Sequence, residues 1–311
     1  FFIKRALDQY FYNVYWNSGF ILVGTPSGVT LSPEGAQHSW KSDIQIPGGI
    51  TWEPTFAVEM DWILADAIRR HFGGDNKDRE GVLIRAVTRG LEQKAMLENL
   101  KKQVRFQNMS DEEILERTRL DVLNGGYWLV NYEGYEGYAP GDNVVHIFAM
   151  GALGAEAIEA SHKLLEQGVF ANVCLVTSPD LLIGNLGGLE DYNHLRSGLG
   201  VNSNLYLSRA QSIAVGSANG SQIVLNSKVD LLSLRGSRIP IVAVCDGEAG
   251  LLDNIGSIVG VHQETLAVRK HSKSGRPVDV YKYHHMDPQS IAETSLKVLE
   301  RCASEEIIVP A

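Results

Sequence analysis

Cysteine is scarce in this chain: Cys174, Cys245 and Cys302 are the only three in 311 residues. They are widely spaced, odd in number and form no CxxC pair, which excludes a disulfide framework and points to a reducing cytoplasm. Cys174 and Cys245 sit inside apolar runs, Val173 to Val176 and Ile239 to Cys245, where a buried, inert thiol is expected. Long hydrophobic runs are also missing. Without a stretch of about 18 apolar residues no membrane-spanning helix is expected, and no signal peptide is visible. Positive charge is short: the formal net charge of -9 argues against a nucleic-acid binder and allows a basic protein partner. His262, His271, His284 and His285 lack a spacing that converges on zinc. Gly74-Asp75-Asn76, Gly141-Asp142-Asn143 and Asp246-Gly247 read as turns, so no metal site is expected within this chain alone.

A hydrophobic content of 44% over 311 residues is enough for two ordinary cores, and two domains are expected. The first region alternates helices and strands. Phe2 to Tyr15 has helical spacing, with Phe2, Tyr10 and Tyr15 expected in the core. Phe20 to Val23 reads as a buried strand, Pro47-Gly48-Gly49 as a turn and Ile50 to Trp52 as a short strand. Pro54 to His71 reads as a helix stopped by Gly73-Gly74, and Val82 to Val87 as the next strand. From about Glu92 to Leu123, charges punctuate leucines, which predicts two surface helices, the second opened by a capping box at Ser110 to Glu113. Tyr127 to Tyr132 is expected to be a further strand of this region, with a linker and domain boundary near residue 138.

The second region holds continuous apolar strands at Val144 to Met150, Asn172 to Val176 and Ile239 to Cys245, separated by helices. That pattern predicts a parallel sheet covered on both faces. Gly151 and Gly154 follow the first of these strands. The first glycine pattern of a dinucleotide site is missing and Asp180 matches its acidic residue only loosely, so close strand-helix packing is the favoured reading.

The segment from Gly24 to Ser39 carries the chemistry. An apolar strand feeds a loop rich in Gly, Pro, Ser and Thr that delivers Glu34 and His38 four residues apart. Loops at strand ends are where rigid sheets present catalytic groups, and histidine is the side chain most readily poised to move protons near neutral pH. Pro33-Glu34-Gly35-Ala36-Gln37-His38 resembles the Gly-Glu-Gly-x-Gln-His motif of thiamine diphosphate-dependent 2-oxoacid dehydrogenases, especially the homodimeric pyruvate dehydrogenase first component. Pro33 stands where the family has glycine, which would stiffen the loop. Transketolases, a wider branch of the superfamily, place Thr-His-Gln-Pro here.

The resemblance implies an α/β chain of two domains with mostly parallel sheets. Residues 1–138 would be an N-terminally truncated, transketolase-like pyrimidine-binding domain with a helical insertion at about 92–123. Residues 139–311 would be a transketolase C-terminal-like domain. It implies oxidative decarboxylation of pyruvate and reductive acylation of a lipoyl group, with thiamine diphosphate and Mg2+ in the complete enzyme and their main ligands upstream of Phe1. His38 and Glu34 would be catalytic, and Gln37 and Ser39 neighbours in the substrate loop. The partners implied are a second copy of the chain, the missing diphosphate-binding domain, a lipoyl-bearing acyltransferase and a small 2-oxo acid. The apolar opening at Phe1-Phe2, without an initiator Met, leads to the expectation that the chain is a fragment, inactive alone. The beta subunit of a heterotetrameric 2-oxoacid dehydrogenase, a transketolase and a non-catalytic module of transketolase type stay open.

Overall fold

A computed structural model describes residues 2–16, 18–24, 46–72, 80–202 and 238–304. Among these residues the strands form two sheets. The smaller is parallel, with β1 (Ile21–Gly24), β2 (Gly49–Trp52) and β3 (Gly81–Arg85) in the order β1-β3-β2. Val82, Leu83 and Ile84 in the central strand are fully buried, as a parallel strand covered on both faces requires. Helix α1 (Phe2–Tyr15) precedes this sheet, and α2 (Ala57–Phe72) makes the crossover from β2 to β3, burying Ile63 and Ala67.

Only part of the expected α1 core is found. Tyr10 is buried against Ile46 and Leu83, but Tyr15 is 79% exposed, beside exposed Phe11, Tyr12 and Trp16. The aromatic side chains of α1 therefore divide between two faces, and one face meets nothing within the described chain. The Phe2 side chain lies outside the described residues.

The charged stretch that follows forms α3 (Lys94–Leu100), a single 3-10 turn and α4 (Asp111–Leu123). Ser110 and Glu113 close the expected capping box: the Glu113 N–H donates to the Ser110 hydroxyl at 3.2 Å, and the Ser110 N–H to the Glu113 carboxylate at 2.8 Å. These helices are more than a surface decoration. Met96, Leu100, Phe106, Ile114 and Val122 are all buried and join the apolar cluster that runs through both sheets.

The larger sheet contains β4 (Gly126–Val130), β5 (Val144–Met150), β6 (Phe170–Val176), β7 (Ile241–Val244) and β8 (Gln263–Leu266), in the order β4-β6-β5-β7-β8. Strands β5 to β8 are parallel; β4 runs antiparallel to β6. This corrects one expectation. The strand near Tyr127 does not belong to the first region's sheet, so the sheets divide between Arg85 and Gly126, upstream of residue 138. An apolar run reveals a buried strand but not which edge it joins. Along β5 the side chains alternate, with Val145, Ile147 and Ala149 in one apolar cluster and Phe148 and Met150 in the other. Helix α5 (Gly154–Leu165) and the helix Pro288–Ser304 pack on one another and cover the first of these faces.

Candidate functional site

The two sheets turn their carboxyl-terminal strand ends toward a common seam. Glu53 follows β2, Arg85 closes β3, Gly151 follows β5, Thr177 and Asp180 follow β6, and Cys245 and Asp246 follow β7. Strand ends of this kind are where open parallel sheets place their functional groups. Hydrogen bonds tie the two sheets across the seam: the Glu53 N–H donates to the Thr177 carbonyl at 2.8 Å, and the Thr51 N–H to the Asp180 carboxylate at 2.7 Å. The Thr55 hydroxyl reaches the Gly151 carbonyl at 3.0 Å.

Glu53 and Arg85 form an ion pair at 3.2 Å, each only 2% exposed. Gly151 has φ +53° and lies directly against the Glu53 carboxylate, and Gly154 lies against Thr55 and Leu175. The close packing expected of these glycines is thus present, but much of it serves side chains from the other lobe. Outward from this pair, Arg89 binds Glu156 at 2.6 Å and its guanidinium sits 5.3 Å from the centre of the Tyr281 ring. Tyr281 donates to Asp246 at 2.8 Å.

Glu59 is the second anchor. As the third residue of α2 it reaches back to the backbone N–H of Phe56 at 3.0 Å and of Thr55 at 2.5 Å, half of a capping box. Its other oxygen accepts from the Tyr127 hydroxyl at 2.5 Å, across to β4. Complete burial pushes the Glu59 carboxyl up to about 7, against the opposing pull of Tyr127, Phe56 and Thr55. Burial and the facing carboxylate push the Tyr127 phenol well above its ordinary range. Glu59 is therefore a sealed clamp between lobes, with no access for a substrate.

The cysteines behave as their sequence context predicts. Cys174 and Cys245 are buried. Burial pushes both thiols up, helped at Cys245 by the Glu53 carboxylate and at Cys174 by Asp121. Neither is a nucleophile.

His38, Glu34, Gln37 and Ser39 lie outside the described residues. The described residue nearest before them in the chain is Gly24. β1 ends at Gly24, whose register partner is Arg85, a member of the ionic seam. Asp180 anchors Thr51 rather than marking a dinucleotide site. Sequence reasoning missed Glu53, Glu59, Arg85 and Arg89. The only local signal was a glutamate three positions into a Pro-led helix, which also describes an ordinary solvated helix start.

This is a transketolase-like fold. A transketolase variant from Pichia stipitis superposes over 99% of this chain and 34% of its own, with a TM-score of 0.56 at 16% identity. The transketolase from Leishmania mexicana matches over 96% of this chain and 33% of its own, with a TM-score of 0.56 at 13% identity. In sequence, part of the chain is similar to the pyruvate dehydrogenase E1 component: 42% identical over 64 residues to that of Haemophilus influenzae, which is 19% of this chain and 7% of the relative. The corresponding protein of Buchnera aphidicola is 39% identical over 59 residues, 18% of this chain and 7% of its own length. The chain thus covers about a third of the matched transketolases. No protein-family model matches it.

Proposed function

We propose that the chain supplies the pyrimidine-binding and C-terminal domains of a thiamine diphosphate-dependent 2-oxoacid dehydrogenase of pyruvate dehydrogenase type. One coincidence carries the reading: a transketolase-like fold over the whole chain together with local 42% identity to a pyruvate dehydrogenase E1 component. The fold alone would equally suit ketol transfer between sugars. The local identity, with glutamine preceding His38, favours the 2-oxoacid side.

The described residues do not fit the charged end of the cofactor. Glu53, Glu156, Asp180 and Asp246 crowd the seam, while Arg85 and Arg89 are engaged by Glu53 and Glu156. Ionised carboxylates there repel a diphosphate. Among the described residues no group of three His, Cys, Asp or Glu side chains could hold a metal ion. In this reading the diphosphate and its divalent cation, Mg2+ in the resemblance, are held by a further domain. This chain contributes a rigid platform, with the end of β1 in register with Arg85, for the segment that carries the motif. In that motif His38 would donate a hydrogen bond or proton to the substrate oxygen or the lipoyl sulfur. Glu34 would set the charge of the pocket, with Gln37 and Ser39 as neighbours. A second copy is the proposed cover for the exposed aromatic face of α1, and a lipoyl-bearing acyltransferase the proposed acceptor.

The test is pyruvate-dependent reduction of an artificial oxidant by the chain combined with a thiamine diphosphate-binding domain and Mg2+. Turnover of pyruvate supports the reading; ketol transfer from a sugar phosphate without pyruvate oxidation would overturn it.

A further inference from the structure

At the end of the larger sheet opposite the seam, near the first residues of β5 and β6, a cavity of about 120 Å³ opens beside Trp128, Tyr138 and His146. A dry cavity of about 150 Å³ accommodates a benzene ring, so this one is the size of a single small ring. Its polar lining has a fixed orientation. The Tyr132 N–H donates to the Asn172 side-chain oxygen at 2.8 Å, which fixes the amide so that its nitrogen faces the other way. That nitrogen donates to the Tyr138 oxygen at 2.9 Å and faces His146 Nδ1 at 3.4 Å. His146 Nδ1 is thereby an acceptor, and the ring proton sits on Nε2. Burial pulls the imidazole down to about 3, so it stays neutral. Its ring lies 4.8 Å from that of Trp128, centre to centre.

Three donors then remain without a partner among the described residues: His146 Nε2–H, the Tyr138 hydroxyl hydrogen and the Asn131 side-chain amide, whose oxygen is taken by the Glu133 N–H at 2.9 Å. The one anionic lining group is the Glu133 carboxylate, at the exposed rim and close enough to raise the Tyr138 phenol after burial has done so. A ligand matching this set is flat and ring-sized, carries acceptors in its plane and presents one amino group to the rim.

We propose that this cavity binds an amino-bearing heteroaromatic ring of nucleobase type, with ring acceptors on His146, Tyr138 and Asn131 and the exocyclic amine on Glu133. The site does not depend on the function proposed above, because it uses neither the seam nor the motif at Glu34 and His38.

Calorimetric titration of cytosine, adenine and uracil into the full chain tests the proposal. Cytosine is expected to bind one per chain, and adenine, whose fused second ring exceeds a cavity sized for one ring, at least tenfold more weakly. Uracil is expected at least tenfold weaker, because its carbonyl replaces the amine and faces Glu133. His146→Phe keeps a ring but removes the donor, and should weaken cytosine about tenfold, since it leaves the base's acceptor enclosed without a partner. His146 lies in a buried strand, so Glu133→Gln on the exposed rim gives a separate reading: it should narrow the preference for cytosine over uracil with the circular dichroism unchanged. Absence of cytosine binding, equal affinity for cytosine and uracil, or a preference that survives Glu133→Gln would each overturn the assignment.

Discussion

The Glu59 clamp makes stability depend on pH in a calculable direction. Burial holds the carboxyl at about 7 in the folded chain, against 4.5 as its ordinary value. Between those limits the folded state keeps a proton that the unfolded chain has released. The unfolded state then binds fewer protons, so stability falls as pH rises through this window. A tenfold change in a proton-binding constant is worth about 1.4 kcal/mol, which puts the loss from this one group at about 3 kcal/mol by pH 7.5. Glu59→Gln removes the titration while keeping an oxygen for the Thr55 and Phe56 N–H groups. Urea unfolding of both proteins from pH 4.5 to 7.5 should show their stability difference changing by about 3 kcal/mol in favour of the glutamine variant as pH rises. Other titrating groups cancel in that difference. Tyr127→Phe removes a donor that favours the ionised form, so the loss should extend to higher pH than in the wild type. Parallel stability curves for wild type and Glu59→Gln would show that the carboxyl ionises at its ordinary value and that the clamp argument is wrong.

Three other perturbations probe the same architecture. Gly151→Ala places a methyl on a φ +53° residue against the Glu53 carboxylate and should lower the thermal midpoint by more than about 5 °C, whereas Gly168→Ala, also at positive φ but with open space, should cost far less. Arg85→Leu strands Glu53 in the seam and should cost about 3–5 kcal/mol in chemical denaturation, with part recovered when Glu53→Leu is added. Replacing exposed Tyr12 and Tyr15 of α1 and Trp16 just after it with serine should leave the circular dichroism unchanged but lower the mass measured by sedimentation, if a second copy covers that face.

Much of the fold was legible because burial leaves a period in the sequence. The continuous apolar runs at Val82, Val144, Asn172 and Ile239 became buried parallel strands, and Ser110 with Glu113 marked the start of α4. The partner of β4 was not legible, since Gly126 to Val130 is equally apolar whichever edge it joins. Nor was the exposure of Tyr15: helical spacing tells that aromatics share a helix, not that the helix has a second, uncovered face. The ionic seam was hidden for a different reason. Glu53, Arg85 and Glu59 are ordinary surface residue types, and only the approach of two strand ends makes them buried partners. The motif at Glu34 and His38 remains a statement about chemistry, joined to the fold through the register of Gly24 with Arg85.

The most direct test of the proposed activity is the turnover of pyruvate by this chain combined with a thiamine diphosphate-binding domain and Mg2+, measured with an artificial oxidant for the wild type and for His38→Ala. The expected result is oxidation well above that of either component alone, reduced about 10² to 10³-fold by the substitution, the usual range for losing one proton-transfer or oxyanion-type contact. Pyruvate oxidation that is unchanged in His38→Ala, or no oxidation above the separate components, would contradict it.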